Sequence, residues 1–103
     1  MQSHRKKRIE IIIEAPLRTR LADLLNRTGV EGYTVLPAIA GRGVETDWHR
    51  EGQVTTAGQM IMVVCIVDPG EAEAILEAVY ELLSRRQGIV SLSDVEVIRA
   101  DEL

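Results

Sequence analysis

The sequence predicts an antiparallel α+β sandwich with element order β-α-β, long loop, β-α-β, and three observations predict it. Two stretches of helical periodicity, each opened by a proline and followed by a glycine, alternate with four stretches rich in β-branched residues. One of those stretches, residues 59–67 (QMIMVVCIV), is apolar throughout, as expected of a strand at the centre of a sheet. Between the second and third strand stretches lies a polar, glycine-punctuated segment, residues 41–58 (GRGVETDWHREGQVTTAG). Connections in compact domains usually run about 4–6 residues, and insertions beyond roughly 12–15 are binding loops, lids or disordered segments.

The elements follow in order. Residues 8–14 read as a first strand, with Ile9, Ile11 and Ile13 on one face and Ile12 among glutamates on the other. Pro16 then opens a helix whose apolar stripe is Leu17, Leu21, Leu24 and Leu25, continued by Thr28 and stopped by Gly29. A second strand covers residues 32–40, with Pro37 marking an edge position or a bulge. The third strand, residues 59–67, is expected to be covered on both faces or packed at an interface. Asp68, Pro69 and Glu71 supply a cap, a first-turn proline and a capping-box acid for a second helix with Ala72, Ile75, Leu76, Val79, Leu82 and Leu83 on its inner face, ending near Gly88. A last strand runs over residues 89–99. This order gives the ferredoxin-like split βαβ, with both helices on one side of the sheet. The opposite face has no cover within the chain, so its apolar third strand is expected to be buried in an oligomer.

Length and composition fit one domain, residues 1–103, with a purely aliphatic core: 46% of residues are hydrophobic and 3% aromatic. The formal charge is −4, yet Arg5, Lys6, Lys7 and Arg8 form a basic run that ends a tail expected at residues 1–7 and opens the first strand. Such a run is either a solubilising terminus, the reading preferred, or an arm for nucleic acid. The single cysteine, Cys65, excludes an intramolecular disulfide and points to a reducing compartment. The first apolar run is short and broken by Glu10 and Glu14, which fits neither a signal peptide nor a membrane span, so a cytoplasmic protein without direct membrane insertion is expected.

No local pattern favours an enzyme. His4, His49 and Cys65 form no recognisable triad or metal set. Anion binding has better support, because Gly41-Arg42-Gly43-Val44 sets two glycines around a cation: glycine lets backbone N–H groups approach an oxyanion, and arginine offers a planar fork. The equally weighted alternative is a hinge at the start of the loop. Arg85-Arg86-Gln87-Gly88 is a second such group, where complementing the helix dipole is sufficient reason for the arginines. Trp48, the only tryptophan, is either a partner anchor or a residue folded back on its own surface.

The stretches GYTV (32–35), GRGVE (41–45), QMIMVVCIV (59–67), QGIV (87–90) and SDVEVIR (93–99), in this order and spacing, resemble the PII signal-transduction superfamily. The resemblance implies a homotrimer that binds adenine nucleotides in clefts between subunits, with residues 41–58 as the T-loop that docks onto a partner. Carried over, Gly41, Arg42, Gly43 and Val44 form the T-loop base around the nucleotide, and Gly58, Gln59 and Met60 line the adenine side. Gln87, Gly88 and Ile89 supply the neighbouring subunit's share, and Arg99 reaches the phosphates. Trp48, His49 and Arg50 are the partner-binding candidates.

The departures from that pattern are informative. Glu45 stands where classical members carry a glutamine for magnesium and 2-oxoglutarate, and no tyrosine occurs in 41–58 for uridylylation. The phosphate-binding B-loop is reduced to RRQGIV, and Asp101 replaces a second arginine. Fewer cations favour ADP or AMP over ATP. These features are closer to the PII-like proteins linked to bicarbonate transport and carboxysomes. That implies a non-enzymatic sensor with bicarbonate as a further ligand at Arg42 and Gly43, no required metal, and a bicarbonate transporter or carbon-fixation protein as partner. The alternatives are a metal-binding trimer similar to the divalent-cation-tolerance proteins, or a small ferredoxin-like enzyme.

Overall fold

The computed structural model describes residues 1–42, 47–49 and 59–99, with the backbone alone for 47–49. Alternating burial builds β1 (His4–Glu14): Ile9, Ile11 and Ile13 are wholly buried, while Glu10 and Ile12 between them are half-buried. A 3-10 turn at Ala15–Leu17, opened by Pro16, leads into α1 (Arg18–Arg27), which buries Leu21, Leu24 and Leu25. Gly29, at φ +86, ends it. The Gly29 N–H donates to Asn26 O (3.3 Å) and the Val30 N–H to Leu25 O (3.0 Å), a Schellman pair that buries Val30 against the core. The Thr28 hydroxyl takes a third terminal carbonyl, that of Leu24, at 3.0 Å.

The second strand of the sheet, β2 (Thr34–Pro37), is shorter than the expected 32–40. Pro37 has no N–H to continue a ladder, and it stands on an edge strand, as a strand proline must. The chain then re-forms as β3 (Ala40–Arg42), which pairs with β4 (Asp47–His49) in a separate two-stranded ribbon. Thus the expected loop is in part a hairpin: Ala40 faces His49, Gly41 faces Trp48 and Arg42 faces Asp47.

β5 (Met60–Val67) lies between β2 and β1, so it is central as expected, but only its helix-facing side is fully covered. Ile61, Val63, Cys65 and Val67 are buried, whereas Met62, Val64 and Ile66 are half-buried. α2 (Pro69–Leu83) buries Ala72, Ile75, Val79, Leu82 and Leu83 on the same core as α1. It stops before the expected Gly88, because Arg85 adopts a left-handed φ of 66 and the Arg86 guanidinium caps the Leu82 carbonyl. Asp68 does not cap the helix with its side chain; its carboxylate goes to Lys6 instead.

The last strand, β6 (Gly88–Val97), pairs with β1 along its whole length, from Ile13↔Gly88 to His4↔Val97. This pairing draws residues 4–7 into β1, four residues earlier than the sequence reading began it. The basic run is therefore part of the sheet rather than a tail. Lys6 pairs with Asp68, Lys7 with Asp94 and Arg8 with Glu10 (3.5 Å), and Arg5 faces Glu96. Cations matched this closely by acids make a poor nucleic-acid arm.

The sheet order is β2-β5-β1-β6, all antiparallel, with both helices in the single core on one side. On the other side a row of apolar residues crosses every strand: Leu36, Met62, Ile12 and Ile89 stand side by side in register. Leu36 is 42% exposed and Ile89 59% exposed. The expected uncovered apolar face is present.

Candidate functional site

The strand directions sort the candidate residues by sheet end. β2 finishes, β5 begins and β6 begins at the end where β1 finishes, so the base of the ribbon, the start of β5 and the α2–β6 junction are neighbours there. Gly41 and Arg42 leave this end in β3, one hydrogen bond beyond the sheet: the Ala38 N–H donates to Met60 O at 3.1 Å. Gln59 is fixed by its carbonyl, which accepts from the Ala15 N–H at 2.8 Å, and Met60 pairs with Glu14 in the ladder. Gly88 and Ile89 face Ile13 and Ile12. Seven candidates therefore share one end: Gly41, Arg42, Gln59, Met60, Gln87, Gly88 and Ile89.

Gly88 is held there by packing. A Cβ on it would stand 2.7 Å from the Ile12 carbonyl oxygen and 2.8 Å from Leu83 Cδ2. Only glycine lets β6 start so close to β1 and to the end of α2. Of the two junction arginines, Arg86 is engaged with Leu82, as expected for a helix C-terminus.

Arg99 is set apart. β6 carries the chain the length of the sheet before reaching it, roughly 30 Å at about 3.3 Å per residue, so Arg99 lies at the opposite end from Arg42. Within one chain the two arginines do not converge. The same far end holds a depression of about 90 Å³ lined by Lys6, Glu31, Gly32, Ile66, Val67, Asp68 and Glu71. This place is not legible in the sequence, where its available signal is the Glu31-Gly32 pair just after the helix stop. At about 90 Å³ it falls well short of the roughly 300–1,000 Å³ of a small-molecule pocket. A shallow groove on the helix side is lined by Arg20, Asp23, Asn26, Arg27 and Leu82.

Gly43, Val44, Arg50 and Gly58, as well as Glu45 and Asp101, lie outside the described residues; Trp48 and His49 are placed by backbone in β4. Cys65 is 2% exposed in the core, where burial pushes its thiol up to about 11, so it is no thiolate nucleophile at neutral pH. Among the described residues no three His, Cys, Asp or Glu side chains group as metal ligands, and no helix is long and apolar enough to cross a membrane.

A β2-β5-β1-β6 sheet backed by two helices, with a ribbon inserted between its second and third strands and a Gly-Arg base, defines a PII-like, ferredoxin-like protein. The comparisons with known proteins agree. Residues 6–102 match the family of the nitrogen regulatory protein P-II, and the chain belongs to that family. It is 32% identical over 83 residues to a UPF0166 protein of Aquifex aeolicus (strain VF5), covering 81% of this chain and 77% of that one.

Among solved structures it is similar to CPII, a nitrogen regulatory PII-like protein from Thiomonas intermedia K12 bound to ADP, AMP and bicarbonate. The TM-score is 0.86 at 26% identity, over 93% of this chain and 91% of that one. It is also similar to a PII-like signalling protein from Thermus thermophilus, with a TM-score of 0.83 at 29% identity over 99% and 98% of the two chains.

Proposed function

We propose that this protein is a non-enzymatic sensor that binds adenine nucleotide between subunits of a homotrimer and reports it through residues 41–58. The observation that carries the proposal is the gathering of Gly41, Arg42, Gln59, Met60 and Gln87–Ile89 at one sheet end, beside the β3–β4 ribbon. Gly43, Val44 and Gly58 complete the proposed ligand set by sequence position. Because Arg99 sits about a sheet length away, it completes the cleft of a neighbouring copy. Gln87, Gly88 and Ile89 are accordingly proposed in the same subunit as Arg42, and not in its neighbour as the resemblance implied, with Arg99 as the neighbour's contribution. The uncovered row Leu36, Met62, Ile12 and Ile89 supports association, because an apolar face of this kind is stabilised by burial against other copies.

ADP and AMP are the preferred ligands. The B-loop is short, and the guanidinium of Arg86 is committed to Leu82, which leaves few cations for a triphosphate. That CPII was solved with ADP, AMP and bicarbonate supports this choice and the addition of bicarbonate near Arg42 and Gly43. The output is contact with a partner in inorganic carbon metabolism, a bicarbonate transporter or carbon-fixation protein in the cytoplasm, through Trp48, His49 and Arg50. A ligand moves such a loop only through unequal affinity for its two states.

Calorimetry with AMP, ADP and ATP, each with and without bicarbonate, tests the reading. Saturable binding with ADP or AMP tighter than ATP is expected, accompanied by a change in Trp48 fluorescence. Absence of saturable binding by all three nucleotides contradicts it. Arg42→Ala should weaken the nucleotide by about tenfold or more, the usual loss when a charged hydrogen-bond donor is removed.

A further inference from the structure

The ribbon register brings a further residue, Asp47, to the position facing Arg42. Arg42 and Asp47 occupy facing positions of the antiparallel pair β3–β4, the last facing pair before the connecting residues 43–46. Facing residues in such a pair share one side of the ribbon, with Cβ atoms about 4.5–5.5 Å apart. An acid at this register position stands beside the one arginine that the ribbon base contributes to the ligand set. Opposite charges at facing positions of a strand pair interact, the more so where water is partly excluded.

We infer that Asp47 is a specificity-determining residue, whose negative charge beside Arg42 discriminates against ligand anions in proportion to their charge. The inference rests on Arg42 being an anion-binding residue, as proposed above. Two effects follow from the register. Opposite charges at facing positions of an antiparallel pair favour that pairing, so an acid at position 47 favours the register Arg42↔Asp47. When an anion arrives at Arg42 it meets the Asp47 field, weak against AMP or bicarbonate and strongest against a triphosphate. Asp47 therefore works in the same direction as the missing B-loop cations, toward shorter phosphate tails, and couples ligand charge to ribbon pairing.

Calorimetry of AMP, ADP and ATP on the full chain and on Asp47→Asn tests this, with Asp47→Glu as the charge-preserving control. The expected result is tighter binding by Asp47→Asn, graded by ligand charge: about tenfold for ATP and about twofold for AMP. Asp47→Glu should keep the wild-type order. Because the substitution lies on the two-stranded ribbon and not in the four-stranded sheet, its thermal unfolding should match wild type. Wild-type nucleotide binding with an unchanged ATP-to-AMP affinity ratio in Asp47→Asn overturns the role of Asp47 while leaving the sensor reading intact. Absence of nucleotide binding by wild type overturns both.

Discussion

Two rows of the same sheet, one residue apart, have opposite fates. Val35, Val63, Ile11 and Val90 stand in register beneath the helices, and Ile11 there is wholly buried. The next row, Leu36, Met62, Ile12 and Ile89, is just as apolar yet faces away from both helices, with Ile89 59% exposed. Side chains alternate across a strand, so a continuously apolar strand serves two faces at once. The difference teaches that one row stabilises a single chain, while the other is available to join chains.

The largest expected effect separates the rows directly. Ile11→Ala should cost about 3–4 kcal/mol in denaturant unfolding, since a wholly buried isoleucine leaves a cavity under two helices. Ile12→Lys should leave the chain folded but shift it to monomers in sedimentation equilibrium. Equal stability losses for the two, with association unchanged, would break the comparison. Next comes Gly88→Ala, which drives a methyl into the Ile12 carbonyl at the start of β6. A loss of about 1–3 kcal/mol is expected, read by thermal unfolding.

The smallest effect lies at the far end of the ladder. The hydrogen bond and charge of Lys7, then the charge of Arg5, hold the Asp94 carboxyl below its ordinary value of 3.8. A depressed folded value means stability present above pH 3.8 and lost as pH falls through the lower folded value. Asp94→Asn should flatten that acid limb slightly, and less so in high salt, because the pair is exposed. An identical acid limb in wild type and variant would remove the pair from the account.

The rows also show what the sequence could and could not convey. Period-two and helical spacing identified both helices and all four sheet strands, because burial on one face leaves a mark on every second or every third to fourth residue. Boundaries failed where pairing decided them. His4 to Lys7 joined β1 because β6 is long enough to pair with them, and α2 stopped at Leu83 because Arg85 turned left-handed and Arg86 capped it. The ribbon was hidden because Asp47-Trp48-His49 has no apolar alternation of its own. Its evidence is the partner strand.

The candidate site was legible as a set of residues and illegible as an arrangement. Gly88 could be read as a ligand glycine, while its tight approach to Ile12 emerges only once β6 is laid against β1. Arg42 and Arg99 both read as phosphate cations; that they occupy opposite sheet ends follows from strand direction, which no local motif carries.

The central claim, a ligand cleft shared between copies, is tested most directly by mixing two inactive variants. Arg42→Ala and Arg99→Ala, each assembled alone, should bind ADP weakly. After dissociation and co-assembly, a fraction of clefts will combine Arg42 of one chain with Arg99 of another, and calorimetry should recover high-affinity ADP sites in that fraction. Mixed oligomers that bind no better than either variant alone would contradict the shared cleft.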